Sequence, residues 1–260
     1  MKELMKLTIK EIESVFLRGD VTDDFLASCR ADTRTSVQTL LRRYERVCRE
    51  RERLAAMYVY ERASAARGHV LVAGVDEAGR GPLAGPVAVA AAILPQELYL
   101  PRLNDSKKLS AKVRAELFEE ITEKAIAYHV TLVDAVEIDR INILQATRRG
   151  MYEAIAVLTP APEEVLVDAV ELPELRMPVQ SIVKGDAKSA SIAAASILAK
   201  VTRDRLMEQY EVEYPGYGFA RHKGYGTAEH IAAIRAHGVT PIHRRTFEPI
   251  RSMLASGQIE

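Results

Sequence analysis

The sequence has few cysteines and no long apolar run. Its two cysteines, Cys29 and Cys48, lack metal-ligand spacing, so we expect ordinary reduced thiols. The longest apolar stretches, such as residues 87–94, are too short to span a bilayer, and residues 1–6 lack the apolar region of a signal peptide. We therefore expect a cytoplasmic protein without a membrane partner.

An excess of positive charge is also missing, because Lys and Arg together number 36 and Asp and Glu together number 36. A nucleic-acid partner would have to be held by local basic patches. Two such patches occur, in residues 34–67 and 221–251. Each alone is explained equally well as a solvated helix face. Opposite a cluster of carboxylates, they make more sense as contacts to phosphates.

With 260 residues, of which 48% are hydrophobic, the chain can form one large domain and an appendage. Residues 1–66 predict two or three helices, since Thr8 and Glu11 form a capping-box pattern and the arginine-rich run has no internal Pro or Gly. Strand-like sequence begins at His69. We therefore predict a helical N-terminal region, residues 1–66, and a larger domain, residues 67–260.

The larger domain alternates between two patterns. Short runs rich in Val, Ile and Ala, bounded by turn residues, indicate strands, and apolar residues at helical spacing indicate helices. This alternation predicts an α/β class with a mixed sheet. The predicted strands cover residues 70–76, 86–94, 127–133, 164–168 and 179–186. The predicted helices cover residues 110–125, 137–158, 188–210 and 227–237.

Acidic residues stand at the ends of three predicted strands: Asp76 with Glu77, then Asp168, then Asp186. Neighbouring strand side chains point to opposite faces, so Asp76 and Glu77 can share one ion only where their strand ends and twists into a turn. Like charges that converge need cations, and carboxylates without His or Cys select Mg²⁺ or Mn²⁺. Two such ions are the standard arrangement for attack on a phosphodiester.

Structural explanations compete with this metal site. Asp76 and Glu77 alone could be a solvated strand end. Asp186 directly precedes a predicted helix, whose N-terminus it could cap. The sequence offers no arrangement of Ser, His and Asp that suggests nucleophilic catalysis.

The turn after the first strand, residues 79–81, reads Gly-Arg-Gly. Its glycines let backbone amides approach a substrate closely, and Arg80 suits a phosphate oxygen. A dinucleotide-binding site is rejected, because the glycine spacing is wrong and Pro82 with a second strand replaces the required helix. The turn therefore suits a phosphate-bearing substrate better than a nicotinamide cofactor.

Other basic and aromatic residues have two explanations each. Lys107, Lys108 and Lys184 suit phosphates or simple solvent exposure. Tyr225 lies between glycines in a basic loop and could stack on a sugar or base, although a lone loop tyrosine is more often a packing residue. His243 and the arginines after it could likewise be structural.

Several long motifs occur in one order between about residue 70 and residue 250. They are Gly74-Val-Asp-Glu-Ala-Gly-Arg-Gly-Pro82, Asn104-Asp-Ser-Lys-Lys-Leu-Ser110, Val167-Asp168, Lys184-Gly-Asp186, Ala193-Ala-Ala-Ser-Ile-Leu-Ala-Lys-Val-Thr-Arg-Asp204 and His222-Lys-Gly-Tyr-Gly-Thr227. Together they closely resemble the bacterial ribonuclease HII family. The resemblance implies a ribonuclease H-like fold, with a mixed central sheet flanked by helices, and the helical N-terminal extension is added to it.

The resemblance also implies the site residues. The family's catalytic, metal-binding carboxylates fall on Asp76, Glu77, Asp168 and Asp186, which would hold two Mg²⁺ or Mn²⁺ ions. Its substrate-binding residues fall on Gly79, Arg80 and Gly81, which sense the ribose 2′-hydroxyl, on Tyr225, which stacks on the adjoining sugar, and on Lys107, which contacts a phosphate. Ala169 stands where many relatives have glycine, and we expect only a slight change in local backbone freedom.

The implied activity is hydrolysis of the RNA strand of RNA-DNA hybrids and nicking of duplex DNA 5′ of a single embedded ribonucleotide, which leaves 3′-hydroxyl and 5′-phosphate ends. We expect a monomer. Ribonuclease HIII is one alternative, although its N-terminal domain differs from the arginine-rich helices here. A non-catalytic protein that binds RNA-DNA hybrids is the other, and the presence of all four acids argues against it.

Overall fold

The computed structural model describes residues 7–259, and the chain divides into two compact units between Ala55 and Ala56. The predicted boundary between residues 66 and 67 falls later, after one further helix. Residues 1–6 and Glu260 lie outside the described residues, and so does the expectation about a signal peptide. None of the helices in the described part combines the length and apolarity that a membrane span requires.

The first unit is helical. Its first helix begins with the predicted capping box, in which the Thr8 amide donates to the Glu11 carboxylate at 2.7 Å and the Glu11 amide donates to the Thr8 hydroxyl at 3.3 Å. Buried Ile12, Cys29 and Val37 form the centre of its small core, and both cysteines are free. The helices are α1 (Ile9–Arg18), α2 (Asp23–Ala31) and α3 (Thr35–Met57), and α3 runs past the unit boundary.

The second unit is an α/β domain. Its helices are α4 (Val59–Ala66), α5 (Ala111–Lys124), α6 (Ala135–Ile141), α7 (Ile143–Ala156), α8 (Ala190–Glu213), α9 (Phe219–His222), α10 (Ala228–His237) and α11 (Ile250–Ala255). Its strands are β1 (Val72–Ala78), β2 (Val87–Ile93), β3 (Ala127–Val133), β4 (Glu164–Asp168) and β5 (Val179–Ile182).

The five strands form one mixed sheet in the order β3-β2-β1-β4-β5. Consecutive strands β1, β2 and β3 pair antiparallel, whereas β4 lies parallel to both β1 and β5. The predicted α/β class and mixed sheet are therefore confirmed. The parallel pairing brings the carboxyl ends of β1, β4 and β5 to the same edge of the sheet.

Each face of the sheet packs against a different long helix. On one side, which we call the α7 face, Ala73 and Val75 pack in a core with Met151 and Ile155. On the other, the α8 face, Val72 and Leu166 pack with Ile192 of α8. Since strand side chains alternate, every residue of β1 is assigned to a face by its parity.

One predicted helix is wrong in its extent. Residues 137–158 form parts of α6 and α7, because the chain breaks at Asn142, which has a φ of 68°. The Asn142 side-chain oxygen accepts from the amides of Leu144 and Gln145 at 3.0 and 3.1 Å. This positive φ ends α6, and the Asn142 side chain caps the new helix, so apolar spacing alone could not reveal the break.

Candidate metal centre and substrate-binding turn

Three of the predicted acids converge at the carboxyl edge of the sheet. Asp76, Asp168 and Asp186 each offer an oxygen, and these oxygens lie within 4.8 Å of one another. Asp76 has the parity of Gly74, and Asp168 that of Leu166, so both side chains lie on the α8 face. Asp186 comes from a turn of 3₁₀ helix, Gly185–Ala187, between β5 and α8.

Backbone amides fix two of these carboxylates. The Glu77 amide donates to Asp76 Oδ1 at 2.7 Å, and the Gly185 amide donates to Asp168 Oδ1 at 2.8 Å. The second bond ties the end of β4 to the 3₁₀ turn that carries Asp186. The three acids are therefore held together by the backbone and not only by the sheet.

The capping explanation for Asp186 is wrong. The N-cap of α8 is Ser189, whose hydroxyl accepts from the Ile192 amide at 3.2 Å. Asp186 also lies beyond the end of β5 at Ile182, so it is neither a strand end nor a helix cap. Its carboxylate, which is only 7% exposed, is left to face the other two acids.

Burial and nearby negative charge disfavour the charged forms of Asp76 and Asp186. Burial, and then the charge of Glu77, raises the pKa of Asp76 well above its usual value. Burial, and then the charges of Asp105 and Asp168, raises the pKa of Asp186, although the nearby Lys107 opposes this shift. The Lys107 ammonium lies 3.8 Å from Asp186 Oδ2. The cluster therefore has more negative charge than its protein neighbours neutralise.

Glu77 is not one of the three acids whose oxygens lie within 4.8 Å of one another, although its charge acts on Asp76. β1 continues to Ala78, so the expected strand end at Asp76 is wrong, and strand alternation places Glu77 on the α7 face. Its Oε1 accepts from Arg80 at 3.4 Å, and its Oε2 is buried without a hydrogen-bond partner. Burial raises the pKa of Glu77, and the charge of Asp168 adds to that shift.

A divalent cation fits this arrangement. The donors are carboxylate oxygens without His or Cys, which suits a hard cation. Bound positive charge would offset the repulsion among these three acids. Asp76, Asp168 and Asp186 are the residues that would hold it.

The Gly-Arg-Gly turn follows β1 and lies against a buried arginine. Gly79 has a φ of 95°, and a β-carbon there would lie 2.0 Å from Nε of Arg203. Only glycine fits, both for backbone conformation and for space. On this side the turn packs against Arg203 of α8. The close approach of a substrate to the turn's amides stays a prediction.

Tyr225 borders this turn. A β-carbon added to Gly81 would lie 3.7 Å from Cε1 of Tyr225. Tyr225 is 46% exposed. The Leu83 amide donates to the Gly224 carbonyl at 2.8 Å and so joins the turn to the tyrosine loop, residues 222–227, which carries Tyr225. Lys108 and Lys184, the other basic residues considered, are exposed.

Two buried arginines, Arg203 and Arg244, lie near the turn. The sequence suggested a structural role for Arg244 and none for Arg203. Arg203 is 1% exposed and donates to the carbonyls of Pro86, Ala84 and Lys223 at 2.9, 3.0 and 3.0 Å. Arg244 is fully buried as well. One signal was available for Arg203, which follows Ile192 by three helical turns and so shares the side of α8 that packs on the sheet.

Two protein-family models match this chain. A family model described as "Ribonuclease HII" matches residues 73–250, and one described as "Ribonuclease HII N-terminal domain" matches residues 8–65. The ribonuclease HII of Halalkalibacterium halodurans is 50% identical over 259 residues, covering 97% of this chain and 98% of that one. That of Geobacillus thermodenitrificans is 52% identical over 257 residues, covering 96% and 98%.

A solved structure agrees with these sequence matches. Ribonuclease H2 from Pyrococcus horikoshii OT3 is 31% identical, with a TM-score of 0.62, and the match covers 71% of this chain and 97% of that one. The matched motifs, the mixed sheet and the acidic group thus point to one family. This chain belongs to the ribonuclease HII family.

Proposed function

We propose that this chain is an endonuclease that hydrolyses the RNA strand of RNA-DNA hybrids and nicks duplex DNA 5′ of a single embedded ribonucleotide, leaving 3′-hydroxyl and 5′-phosphate ends. The observation that carries this proposal is the group formed by Asp76, Asp168 and Asp186, which share a sheet edge with the glycine-arginine turn. Membership of the ribonuclease HII family supports it.

The proposed cofactor is a pair of Mg²⁺ or Mn²⁺ ions. When bound, such a pair activates water and stabilises the leaving oxygen of an in-line displacement. We assign Asp76, Asp168 and Asp186 as ligands. Glu77 is the proposed fourth catalytic, metal-binding carboxylate, because its unpartnered Oε2 is buried and its charge acts on Asp76 of the cluster. The backbone bonds to Asp76 and Asp168 hold these oxygens in place before substrate arrives.

The proposed substrate contacts surround the acids. Gly79, Arg80 and Gly81 would meet the ribose 2′-hydroxyl and its phosphate, and the Tyr225 ring beside them would stack on the adjoining sugar. Lys107 would contact a phosphate, since its side chain is 80% exposed while its ammonium points to the acidic cluster. One chain supplies all of these groups, so we propose that a monomer is active.

The first unit offers a second surface for the nucleic acid. Arg42, Arg46 and Arg49 recur at helical spacing along α3, are exposed and form no ion pair within residues 7–259. Residues at this spacing share one face of a helix. We propose that these three guanidiniums contact phosphates of the duplex.

Cleavage of a defined duplex tests the activity. Duplex DNA with one ribonucleotide is incubated with the protein in Mg²⁺, in Mn²⁺ or in a chelator, beside the same duplex without the ribonucleotide. We expect a metal-dependent nick 5′ of the ribonucleotide, a product that a polymerase extends and a fragment that a ligase accepts. No nick in either metal, or an equal nick in the all-DNA duplex, would refute the proposal.

The same assay separates the alternatives. Robust cutting at a single ribonucleotide argues against a ribonuclease HIII, and the match of residues 8–65 to a ribonuclease HII N-terminal model agrees. Metal-dependent turnover excludes a protein that only binds hybrids. Asp168→Asn is the matched inactive control, because it preserves side-chain size and removes the charge.

Salt dependence tests the arginine surface. Replacing Arg42, Arg46 and Arg49 by Gln should reduce the slope of log binding constant against log salt by about 2 to 3, at roughly 0.9 per lost phosphate contact. Arg140→Gln is the control, because Arg140 is already ion-paired with Glu137. An unchanged slope in the triple variant would assign these arginines to solvation alone.

A further inference from the structure

The buried guanidinium of Arg244 donates hydrogen bonds to the Gly-Arg-Gly turn, residues 79–81. Arg244 is fully buried, and its guanidinium donates to the Gly79 carbonyl at 2.6 Å and to the Arg80 carbonyl at 2.8 Å. Two further bonds, at 3.0 and 2.9 Å, go to the Gly85 carbonyl. The ring of Phe247 covers the guanidinium at 5.0 Å. One side chain therefore joins both ends of the segment that follows β1.

The acceptors of the Arg244 hydrogen bonds are backbone carbonyls. Neither Arg244 nor the neighbouring Arg203 forms a salt bridge with a carboxylate in the part of the chain that the structure describes. Burial lowers the pKa of Arg244 to about 9, so the group remains charged at neutral pH. A buried charge without a carboxylate partner is costly, and its hydrogen bonds to carbonyls are what compensate it.

The bonds to Arg244 determine where the turn's amides point. The peptides that join Gly79, Arg80 and Gly81 are trans, and in a trans peptide the carbonyl and the N–H point in opposite directions. With the Gly79 and Arg80 carbonyls directed at Arg244, the N–H groups of Arg80 and Gly81 point away from it. Neither N–H finds an acceptor among the hydrogen bonds of residues 7–259.

The residue before Arg244 fixes the tyrosine loop by a chain of hydrogen bonds. The Thr240 amide donates to His243 Nδ1 at 2.9 Å, so His243 must carry its proton on Nε2. That proton is donated to His230 Nε2 at 3.1 Å, which leaves His230 Nδ1 to donate to the Tyr225 carbonyl at 2.9 Å. Consecutive residues thus hold the two halves of the proposed recognition site.

We propose that Arg244 is a positioning residue for ribonucleotide recognition: it holds the turn so that the amides of Arg80 and Gly81 face the substrate as a pair of donors. This inference rests on the proposed function of the turn and names the residue that makes the turn competent. Arg244 touches no substrate itself. Its loss should therefore weaken discrimination of the ribonucleotide and leave metal binding by Asp76, Asp168 and Asp186 intact.

Binding selectivity tests the proposal in the full chain. The affinities for a duplex with one ribonucleotide and for the same all-DNA duplex are measured in Ca²⁺, so that binding is read without turnover. Arg244→Lys keeps the charge and loses the planar fork that reaches several carbonyls. We expect the ratio of the two affinities to fall by about 10-fold, the loss of one to two hydrogen bonds. Mn²⁺ binding to the free protein should be unchanged.

Two controls separate positioning from stability. Met253→Ala removes a buried side chain from the core around α10 and α11 and should lower the melting temperature without changing the ratio. Arg140→Lys repeats the chemistry of the substitution on the surface. If Arg244→Lys lowers the melting temperature and leaves the ratio as in the wild type, the residue is merely structural and the proposal is overturned.

A measurement on the unmodified protein guards against a variant that fails to fold. Hydrogen exchange of the Arg80 and Gly81 amides should slow when the ribonucleotide duplex binds in Ca²⁺, and should slow less with the all-DNA duplex. Equal exchange in both complexes would overturn the proposal. A wild-type protein that binds both duplexes equally would instead overturn the proposed function on which it rests.

Discussion

A β-carbon added to Gly74 in β1 would lie 2.0 Å from the carbonyl carbon of Ser191 in α8. No side chain fits between this strand and this helix, so the backbone of α8 rests directly on β1. Asp186 lies just before that contact along the chain and Asp76 just after Gly74. The distance between the two acids therefore depends on a contact made by a residue without a side chain.

Gly74→Ala should displace the start of α8 and lower both stability and activity. Overpacking of this kind costs about 1 to 3 kcal/mol, and the clash here is with backbone, which cannot rotate away. Denaturant unfolding and the nicking assay measure the two effects. Gly150→Ala is the control, because the nearest atoms to its added carbon belong to the side chains of Val89 and Val133, at 2.8 and 3.2 Å, so a smaller loss is expected. Similar losses in both variants would contradict the argument.

Asp76→Asn should abolish cleavage and raise the melting temperature of the metal-free protein. Burial raises the pKa of Asp76, so ionisation of this group costs stability as the pH rises above the usual Asp range. An amide of the same size removes that cost. Thermal unfolding in chelator and in Mn²⁺ checks this, with Asp20→Asn on the surface as control. A lower melting temperature in chelator would count against the stability cost of the buried Asp76 charge. Retained cleavage would count against its metal role.

Tyr225 should act through its ring. Tyr225→Phe keeps the stacking surface beside Gly81 and should remain close to wild type. Tyr225→Ala should lower kcat/KM by about 10-fold or more, since one stacking contact contributes about 1 to 3 kcal/mol. Steady-state kinetics on the single-ribonucleotide duplex distinguish the variants. Equal kinetics for Ala and wild type would make Tyr225 an ordinary packing residue.

Acid should destabilise the protein through two buried histidines. Burial lowers the pKa of His230 to about 4 and that of His243 to about 3, whereas unfolded histidine titrates near pH 6.5. Between these values the unfolded chain binds more protons, so the free energy of unfolding falls as the pH drops from about 6.5 towards 4.

The test of that pH dependence is the difference between the wild type and His243→Gln. The raised pKa values of Asp76 and Asp186 act in the opposite direction in both proteins and cancel in the comparison. The stability advantage of the wild type should shrink as the pH falls through this range in urea unfolding. An advantage that is constant with pH would show that His243 titrates normally.

Ala169→Gly should stabilise the protein slightly. Ala169 directly follows Asp168 and has a φ of 51°, a left-handed conformation that costs a non-glycine residue about 1 to 2 kcal/mol. The larger entropy of unfolded glycine offsets roughly 0.5 to 1 kcal/mol of this gain. Equilibrium unfolding should show the difference, and cleavage should be retained. A lower stability would mean that the Ala169 methyl makes contacts that outweigh the strain.

Local signals in the sequence were sufficient for several helix starts. Thr8 with Glu11 caps α1 as predicted, and Ser110 and Thr227, the first residues of two predicted helices, are the N-caps of α5 and α10, because a cap depends on residues only a few positions away. The break at Asn142 was missed because the apolar spacing continues across it. The acids were identifiable as a group, since each follows an apolar run.

The arrangement of those acids could not be read in the same way. Which face Glu77 occupies depends on how far β1 extends, and that depends on its pairing with β2. The role of Arg244 depends on carbonyls more than 150 positions away in the chain, which leave no pattern in the sequence. Long-range contacts of this kind become visible only when the fold is known.

The order of the strands also determines at which stage of folding the acidic cluster can form. Asp76 meets Asp168 only when β1 pairs with β4, and the whole of β2, β3 and α5–α7 separates these partners along the chain. Asp186 arrives later still, from the turn before α8. Contacts between such distant segments form slowly and late in folding. A chain still emerging from the ribosome therefore has no complete acidic cluster until most of its length has been synthesised.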